Sequence, residues 1–184
     1  VEKFDLQKRF TEHWSWRPVQ TAAHPTIQGA KEATSAIDRF VQKKVDDIGL
    51  KPALPADQRT WIRRVYFDLI GLPPSPEQLA GSLEQTKEQI VDELLASTHF
   101  GEKWARHWMD LVRYADTYGH EFDFEIDHAH EYRDYVIRAF NEDVPYDHFI
   151  REHLAGDLLK NPRRHPTEGY NESVIGTGFW YFHD

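Results

Sequence analysis

Cysteine is absent from all 184 residues of this sequence. Its absence excludes disulfide bonds, thiolate metal sites, a cysteine nucleophile and a c-type haem attached covalently to this chain as given. The sequence also lacks any apolar run near the roughly 18 residues that cross a bilayer, so we expect no membrane span. Val1 opens into a charged stretch without a signal-peptide pattern. Thiol content therefore does not indicate the compartment.

Positive charge is also scarce, because 22 Lys and Arg face 31 Asp and Glu, for a net charge of −9. A surface that follows nucleic-acid phosphates needs clustered Lys and Arg, so we expect no nucleic-acid partner. Arg163 and Arg164 beside His165 resemble a basic patch, and we interpret them as a solvated loop. Aromatic rings are abundant, with 6 Trp, 8 Tyr and 11 Phe, which is enough to build a core.

The spacing of apolar residues predicts an all-α fold, a compact irregular array of about six to eight helices. We expect an extended aromatic strap at residues 1–33, followed by a single helical domain at residues 34–184 that continues past 184 in the parent protein. The predicted helices cover residues 34–48, 57–70, 75–83, 86–97, 102–115 and 129–140, with a further short helix around residues 149–154.

Several helix ends carry local signals. Ser75, Pro76 and Gln78 have the pattern of a capping box with proline at the first helical position. Gly71 ends the preceding helix because glycine readily adopts a left-handed backbone. Residues 173–182 show a weak alternating pattern typical of a strand, which their glycines oppose.

An acidic loop after the fifth predicted helix is the first candidate site. It contains seven acids and one arginine, Arg133, so its formal net charge is about −6. The acids are Asp116, Glu121, Asp123, Glu125, Asp127, Glu131 and Asp134. Asp116, Glu121 and Asp123 surround a glycine and offer the oxygen ligands that a divalent cation such as Ca²⁺ prefers, so we predict them as metal ligands. The spacing does not match an EF-hand. The alternative is a polar loop whose acids pair with arginines.

A second candidate lies on the predicted helix at residues 102–115. His107 lies one turn from Asp110, which could hold the imidazole as a base or a ligand. Together with Asp116, these residues are the predicted catalytic set. A buried histidine that is satisfied by the neighbouring acid would give the same pattern.

Two aromatic clusters, one near each end of the chain, also contain a histidine. His13 lies between aromatic residues near the start, and Trp180 lies close to His183. Such groups suit the edge of a flat cofactor such as haem, so His13, Trp180 and His183 are predicted cofactor contacts; core packing is the alternative. His128 and His130 form a His-x-His pair, but a helix turns their rings to different faces, and we interpret both as surface residues.

Several segments, taken in order, resemble one family. They are His13-Trp14-Ser15-Trp16-Arg17-Pro18, Arg63-Arg64-Val65-Tyr66-Phe67-Asp68-Leu69-Ile70-Gly71-Leu72-Pro73-Pro74-Ser75-Pro76, His99-Phe100-Gly101-Glu102-Lys103-Trp104-Ala105-Arg106-His107-Trp108, Arg113-Tyr114-Ala115-Asp116, Tyr132-Arg133-Asp134-Tyr135, Pro145-Tyr146-Asp147-His148-Phe149 and Leu154-Ala155-Gly156-Asp157-Leu158. Through these segments the chain is similar to the domain of unknown function that accompanies planctomycete cytochrome c domains in large secreted or periplasmic proteins. The resemblance covers nearly the whole chain.

The resemblance implies a place in a larger protein. Family members follow a c-type cytochrome domain, precede a second uncharacterised domain, and carry a Cys-x-x-Cys-His haem motif shortly after the Gly-Thr-Gly-Phe segment found here at residues 176–179. This chain stops at Asp184, before that motif would come, so we expect a fragment or a separate haem-bearing piece. The implied partners are the rest of its own polypeptide or a cytochrome c domain, and the implied cofactor is haem c in the parent protein.

We therefore expect the non-haem helical part of a secreted or periplasmic c-type cytochrome-like protein, acting in electron transfer or a redox reaction, with an acidic and histidine-lined pocket. A carbohydrate-active hydrolase or lyase that uses paired carboxylates, such as Asp116 and Asp123, is one alternative. A structural interaction module is the other. The resemblance itself assigns no catalytic residues.

Overall fold

The regular secondary structure of the described chain is helical. A computed structural model describes residues 4–27, 35–119, 121 and 123–182, and in these residues β pairing is limited to two isolated bridges. The α-helices are α1 (Leu6–Glu12), α2 (Ala36–Asp47), α3 (Gln58–Ile70), α4 (Pro76–Ser82), α5 (Lys87–Leu95), α6 (Thr98–Leu111), α7 (Ala129–Asn141) and α8 (Tyr146–Ala155). Three 3₁₀-helices are η1 (Trp14–Trp16), η2 (Gly156–Leu158) and η3 (Glu172–Phe182). The predicted all-α class is confirmed.

The chain divides into two units, at residues 1–55 and 56–184. The first unit contains α1, η1 and α2. Part of the expected strap is helical, since the side chain of Asp5 caps α1 by accepting the amide of Lys8 at 3.0 Å. The apolar face of α2 remains open within this unit, where Ile37 and Ile48 are 75% and 69% exposed. The predicted division into a strap and one domain stays a prediction.

In the second unit, α3, α4 and α5 surround an aliphatic core. Its buried members are Ile62, Tyr66, Ile70, Ile90 and Leu94. The predicted capping box of α4 is present, because Ser75 accepts the amide of Gln78 at 3.2 Å and Gln78 accepts the amide of Ser75 at 2.8 Å. The predicted stop at Gly71 is also confirmed, with a left-handed φ of 75°. Local capping chemistry therefore sets these helix ends.

A second, aromatic core lies between α6, α7 and α8. Its buried members are Ala105, Val112, Tyr132, Tyr135, Val136, Ala139 and Phe149. Helices α6 and α7 approach closely at Gly101, where an added Cβ would lie 2.4 Å from the carbonyl oxygen of Ile137. The amide of Gly101 also donates to Oδ1 of Asn141 at 2.7 Å. Glycine at position 101 thus permits the helix crossing on which the aromatic core depends.

Helix α6 begins and ends four residues earlier than its pattern predicts. Ser97 caps it by accepting the amide of His99 at 3.3 Å, and the left-handed Arg113 follows its end. Tyr114 therefore lies beyond the helix. The weak strand pattern at residues 173–182 is not realised, because this segment is η3 and packs on α8.

We expect Gly101→Ala to destabilise the chain by about 1–3 kcal/mol, because overpacking at a backbone contact forces the two helices apart. Thermal or urea unfolding followed by circular dichroism measures this change. Gly81→Ala is the matched control, since Gly81 lies in α4 and an added Cβ meets nothing within 4 Å. Its helix should be unchanged or slightly more stable. Equal destabilisation by both variants would contradict the close-contact explanation.

Candidate functional site

Helix α8 carries a carboxylate into the interior of the second unit. The side chain of Glu152 is 0% exposed. It accepts hydrogen bonds from the hydroxyl of Tyr135 at 2.7 Å, from Oγ of Ser173 at 2.6 Å and from Nε of Arg163 at 2.9 Å. Buried carboxylates are tolerated when they are paired and hydrogen-bonded in this way.

Arg163 links this carboxylate to the C-terminal part of the chain. Its side chain is 17% exposed, and its second guanidinium contact to Glu152 measures 3.1 Å. Nη1 of the same guanidinium donates to Glu142 at 2.5 Å. The amide of Arg163 donates to Oγ of Ser173 at 2.8 Å. The interpretation of Arg163 as part of a solvated loop was therefore wrong, because buried acids hold it inside.

A second buried carboxylate, Glu172, lies beside the first. It is 0% exposed, and its Oε1 accepts from Nε of Arg138 at 2.5 Å. Its Oε2 has no hydrogen-bond partner among the described residues, and Nη1 of Arg163 lies 3.7 Å away. We refer to Glu152, Glu172, Arg138 and Arg163 as the ion cluster. Two acids and two arginines make its formal charge zero.

The contacts within the ion cluster shift the protonation of its members. Burial raises the pKa of Glu152, but the hydrogen bonds from Arg163, Ser173 and Tyr135 outweigh it and hold the pKa below its usual range. Burial lowers the pKa of Arg163, and the bond to Glu152 with the nearby acids more than reverses this effect. Burial raises the pKa of Tyr135, and its bond to Glu152 adds to the rise. Glu152 is therefore ionised and Tyr135 neutral near pH 7.

The neighbouring residue on α8, His153, belongs to a second buried polar group. Its Nδ1 lies 2.8 Å from the carbonyl oxygen of Phe149, which only accepts, so Nδ1 carries the proton. Its Nε2 then accepts from the hydroxyl of Tyr132 at 2.9 Å and the indole nitrogen of Trp108 at 3.0 Å. Burial lowers the pKa of His153. The ring is thus a neutral part of the aromatic core.

An apolar cavity of 480 Å³ opens next to this core, between α6 and the turn that joins α7 to α8. Six rings line it, from Phe100, Trp104, Trp108, Phe140, Tyr146 and Phe149. Asp143 is the charged residue in its lining. The indole nitrogen of Trp104 is buried and has no hydrogen-bond partner in the described residues.

The structure places the predicted catalytic residues at the surface. His107 and Asp110 are both exposed on α6, and the ring of His107 lies 5.3 Å from that of Trp104, measured between centroids. Asp116 is exposed and accepts from the hydroxyl of Tyr114 at 2.5 Å. Their catalytic roles stay predictions.

The acidic loop closes on itself by backbone hydrogen bonds. The amide of Tyr118 donates to the carbonyl of Phe124 at 3.0 Å. Asp123 accepts the amide of Gly119 at 3.0 Å, and Glu121 is exposed. Across the described residues, no three His, Asp or Glu side chains are grouped so that they could hold a metal ion. The predicted cation site gains no geometric support from this arrangement.

The predicted cofactor contacts lie in different parts of the chain. His13 is exposed in the first unit, with Nδ1 2.8 Å from the hydroxyl of Ser15. Trp180 in the second unit is 59% exposed, with its ring 4.4 Å from that of Phe179. His183 lies outside the described residues. His128 and His130 are exposed, as predicted.

A smaller cavity of 250 Å³ meets the end of the acidic loop. Asp127, His128 and Glu131 line it on one side, and Val174 and Tyr181 on the other. Two acids and one histidine therefore belong to the lining of a mostly apolar cavity. The predicted ligands Asp116, Glu121 and Asp123 are not among its described lining residues.

Sequence reasoning missed the buried polar residues of α8. Glu152 and His153 follow Phe149 by three and four positions, so all three share one helical face. Phe149 is the buried apolar residue of this face, and the polar residues beside it were the available signal. The arginine and glutamate partners lie too far along the chain to be inferred from spacing.

A protein-family model matches residues 36–184; it is PSCyt2, described as a protein of unknown function (DUF1549). The chain belongs to this family. No curated protein matches the chain, and no solved structure does either. The family description assigns no activity, so the function has to be inferred from the geometry of the site.

In the described residues, every helix is too short or too polar to cross a membrane.

A haem held inside this module would need an axial ligand, most often a histidine nitrogen. Both ring nitrogens of the buried His153 already make hydrogen bonds. The partly buried His148 has Nε2 3.4 Å from Glu152. In this arrangement the ring of His153 is therefore not free to be an axial ligand.

We expect the ion cluster to make stability depend on acid pH. The pKa of Glu152 is lowered on folding, so its contribution is present above about pH 4.5 and is lost as pH falls below that value, through the folded pKa. Unfolding free energies measured between pH 3 and 7 should therefore fall on the acid side, and Glu152→Gln should flatten that fall. The same variant should lose about 1.5–3 kcal/mol at pH 7, because the charge-assisted hydrogen bonds from Arg163 to Glu152 become neutral ones while Glu142 still pairs with Arg163.

Glu84→Gln is the control for this experiment, since it makes the same chemical change at an exposed position of the same unit. We expect it to leave both the stability at pH 7 and its pH dependence nearly unchanged. An acid slope that is the same in wild type and Glu152→Gln would show that Glu152 is not the titrating group.

We further expect His153 to be neutral near pH 7. Its pKa lies below the usual 6.5 because the ring is buried. In an NMR titration of the eleven histidines, the Cε1–H signal of His153 should have its midpoint below pH 6.5. Loss of that signal in His153→Phe would assign it. A full titration of His153 with a midpoint at or above 6.5 would contradict the buried hydrogen-bond arrangement.

Proposed function

We propose that this chain is the non-haem helical module of a secreted or periplasmic c-type cytochrome-like protein, and that it serves electron transfer by docking a haem-bearing domain. The observation that carries the proposal is a set of three exposed apolar side chains on η3. Its residues Val174, Trp180 and Tyr181 are 36%, 59% and 72% exposed, and we call them the η3 surface. Trp and Tyr are enriched in protein interfaces. Such a surface favours a docking role.

Charge beside the η3 surface supports a basic partner. Val174 and Tyr181 share the 250 Å³ cavity with Asp127 and Glu131, which supply an acidic rim. Complementary charge at an interface rim speeds association and selects partners. A cytochrome c domain with lysines around an apolar centre would match this surface. The net charge of −9 also attracts a basic partner at longer range.

Buried hydrogen bonds at the start of η3 hold the η3 surface in place, which also suits docking. Glu172 and Ser173 at the start of η3 are 0% exposed and bonded to Arg138 and Glu152. Residues on a rigid scaffold present an interface with little ordering cost. In this proposal the module orients its partner and carries no redox group of its own. The implied haem c belongs to the parent protein.

The hydrolase alternative has no specific geometric support in the described residues. Asp116 and Asp123 are exposed, and each already accepts a hydrogen bond from a neighbour in its own loop. A role for these carboxylates on an exported carbohydrate stays a prediction. A purely structural interaction module would use the η3 surface in the same way as the redox module.

The proposal predicts that Trp180→Ala weakens binding of the cytochrome c domain of the parent protein. We expect about a tenfold loss of affinity by isothermal titration calorimetry, because a large interface ring is removed. Trp16→Ala is the matched control: Trp16 is 63% exposed but lies in the first unit. Affinity should fall as salt is raised, since the rim charges are screened.

Two outcomes would contradict the proposed function. The first is equal binding by wild type and Trp180→Ala. The second is a parent protein purified without a Soret band, which would remove the haem-bearing partner.

A further inference from the structure

Six aromatic rings line the 480 Å³ cavity. The rings of Trp108 and Phe149 meet edge to face, with centroids 4.8 Å apart and an interplanar angle of 66°. Phe140 lies 5.9 Å from Phe149 and Phe100 lies 6.0 Å from Trp104, again between centroids. The faces of aromatic rings are negative and attract cations. The walls therefore favour a positively charged, apolar ligand.

The charged residue in the cavity lining also favours a cationic ligand. Asp143 is its charged residue, and the lining contains no Lys, Arg or His in the described part of the chain. Within residues 4–27, 35–119, 121 and 123–182, no basic side chain forms an ion pair with Asp143. Its carboxylate is therefore available to a ligand. An anion would meet repulsion from both the acid and the rings.

The backbone at Asp143 adds an independent observation. Asp143 has a left-handed φ of 49° immediately after α7, and the amide of Val144 closes the helix end by donating to Ala139 at 3.0 Å. Glycine is the usual residue at this position, because it adopts the left-handed conformation without a steric cost. Aspartate thus places a carboxylate at the cavity where glycine would be conformationally easier.

We propose that this cavity binds a small organic cation that carries an alkylated ammonium group. Trp104, Trp108 and the phenylalanine rings would contact the alkyl groups through cation–π interactions, and Asp143 would be the counter-ion. The cavity volume lies in the range of roughly 300–1,000 Å³ that is common for small-molecule sites. This proposal depends on the cavity alone and does not require the docking function.

The test compares choline with its neutral isostere, 3,3-dimethylbutan-1-ol, on the 184-residue chain. Both are titrated while the indole N–H signals of the six Trp are followed by ¹H–¹⁵N NMR. We expect choline to shift the signals of Trp104 and Trp108, and to bind about tenfold tighter than the alcohol. Trp104→Phe and Trp108→Phe assign the two signals. Equal affinity for choline and the alcohol would overturn the proposal.

Variants at position 143 separate the effect of the carboxylate charge on choline binding from an effect on folding. Asp143→Asn keeps a side chain that tolerates the left-handed backbone, and Asp143→Gly suits that backbone better still. Both should weaken choline binding about five- to tenfold and leave the alcohol unaffected. Unchanged choline affinity in these folded variants would overturn the proposal.

Asp147→Asn is the matched control, because Asp147 is exposed on α8 and pairs with Arg151 at 3.0 Å. It removes the same charge four residues away from Asp143, and choline affinity should change less than twofold. If Asp147→Asn weakens choline binding as much as Asp143→Asn does, the loss reflects the overall charge of the chain. That result would overturn the proposed site. A trimethyl-lysine peptide that binds at least tenfold tighter than choline would overturn the assignment to a free small molecule.

Discussion

The buried carboxylate of Glu152 holds the C-terminal half of the second unit together. Its hydrogen-bond partners Tyr135, Arg163 and Ser173 come from positions 17, 11 and 21 residues away in the sequence. An ionised carboxylate buried without partners costs several kcal/mol. Alternative packings of α7, α8 and η3 would lose these partners, so the ion cluster selects one arrangement. Replacement by apolar residues could be equally stable, but it would remove this selection.

Two adjacent buried residues of α8 use polarity differently. Glu152 is ionised and satisfied by donors, whereas the adjacent His153 is neutral and part of an aromatic cluster. In a low-dielectric interior each hydrogen bond is strong and each missing partner is costly. The unpartnered Oε2 of Glu172 is an exception that Arg163 compensates by charge at 3.7 Å. The helix thus couples the ion cluster to the core that walls the aromatic cavity.

The parts of the fold that could be predicted from sequence are those with local causes. The capping box at Ser75 and the stop at Gly71 depend on residues within one turn, and both are present. The start of α6 was misplaced because Ser97 caps it before the amphipathic stripe becomes clear. Periodicity marks which residues form an apolar face, but it does not report what covers that face. The open apolar face of α2 is the result.

The candidate site could be predicted much less well, because its chemistry depends on distant partners. The acids that cluster in sequence, such as Asp116 and Asp123, are exposed in a loop that is closed by its own hydrogen bonds. Glu152 and Arg163 lie 11 residues apart in the sequence, and they become a buried pair once the chain turns back after η2. Charge density along the chain is therefore a poor guide to charge inside the fold.

The close approach of Gly156 to Ser173 has a consequence for how the chain is made. An added Cβ at Gly156 would lie 1.8 Å from the carbonyl oxygen of Ser173, so this segment seals α8 by backbone contact. During synthesis α8 emerges before that segment, and until Arg163 and Ser173 arrive, Glu152 lacks two of its three hydrogen-bond partners. A chain that ends before Arg163 would have to bury this acid without its charge partner, which costs several kcal/mol. The start of η3 therefore completes the packing of α8.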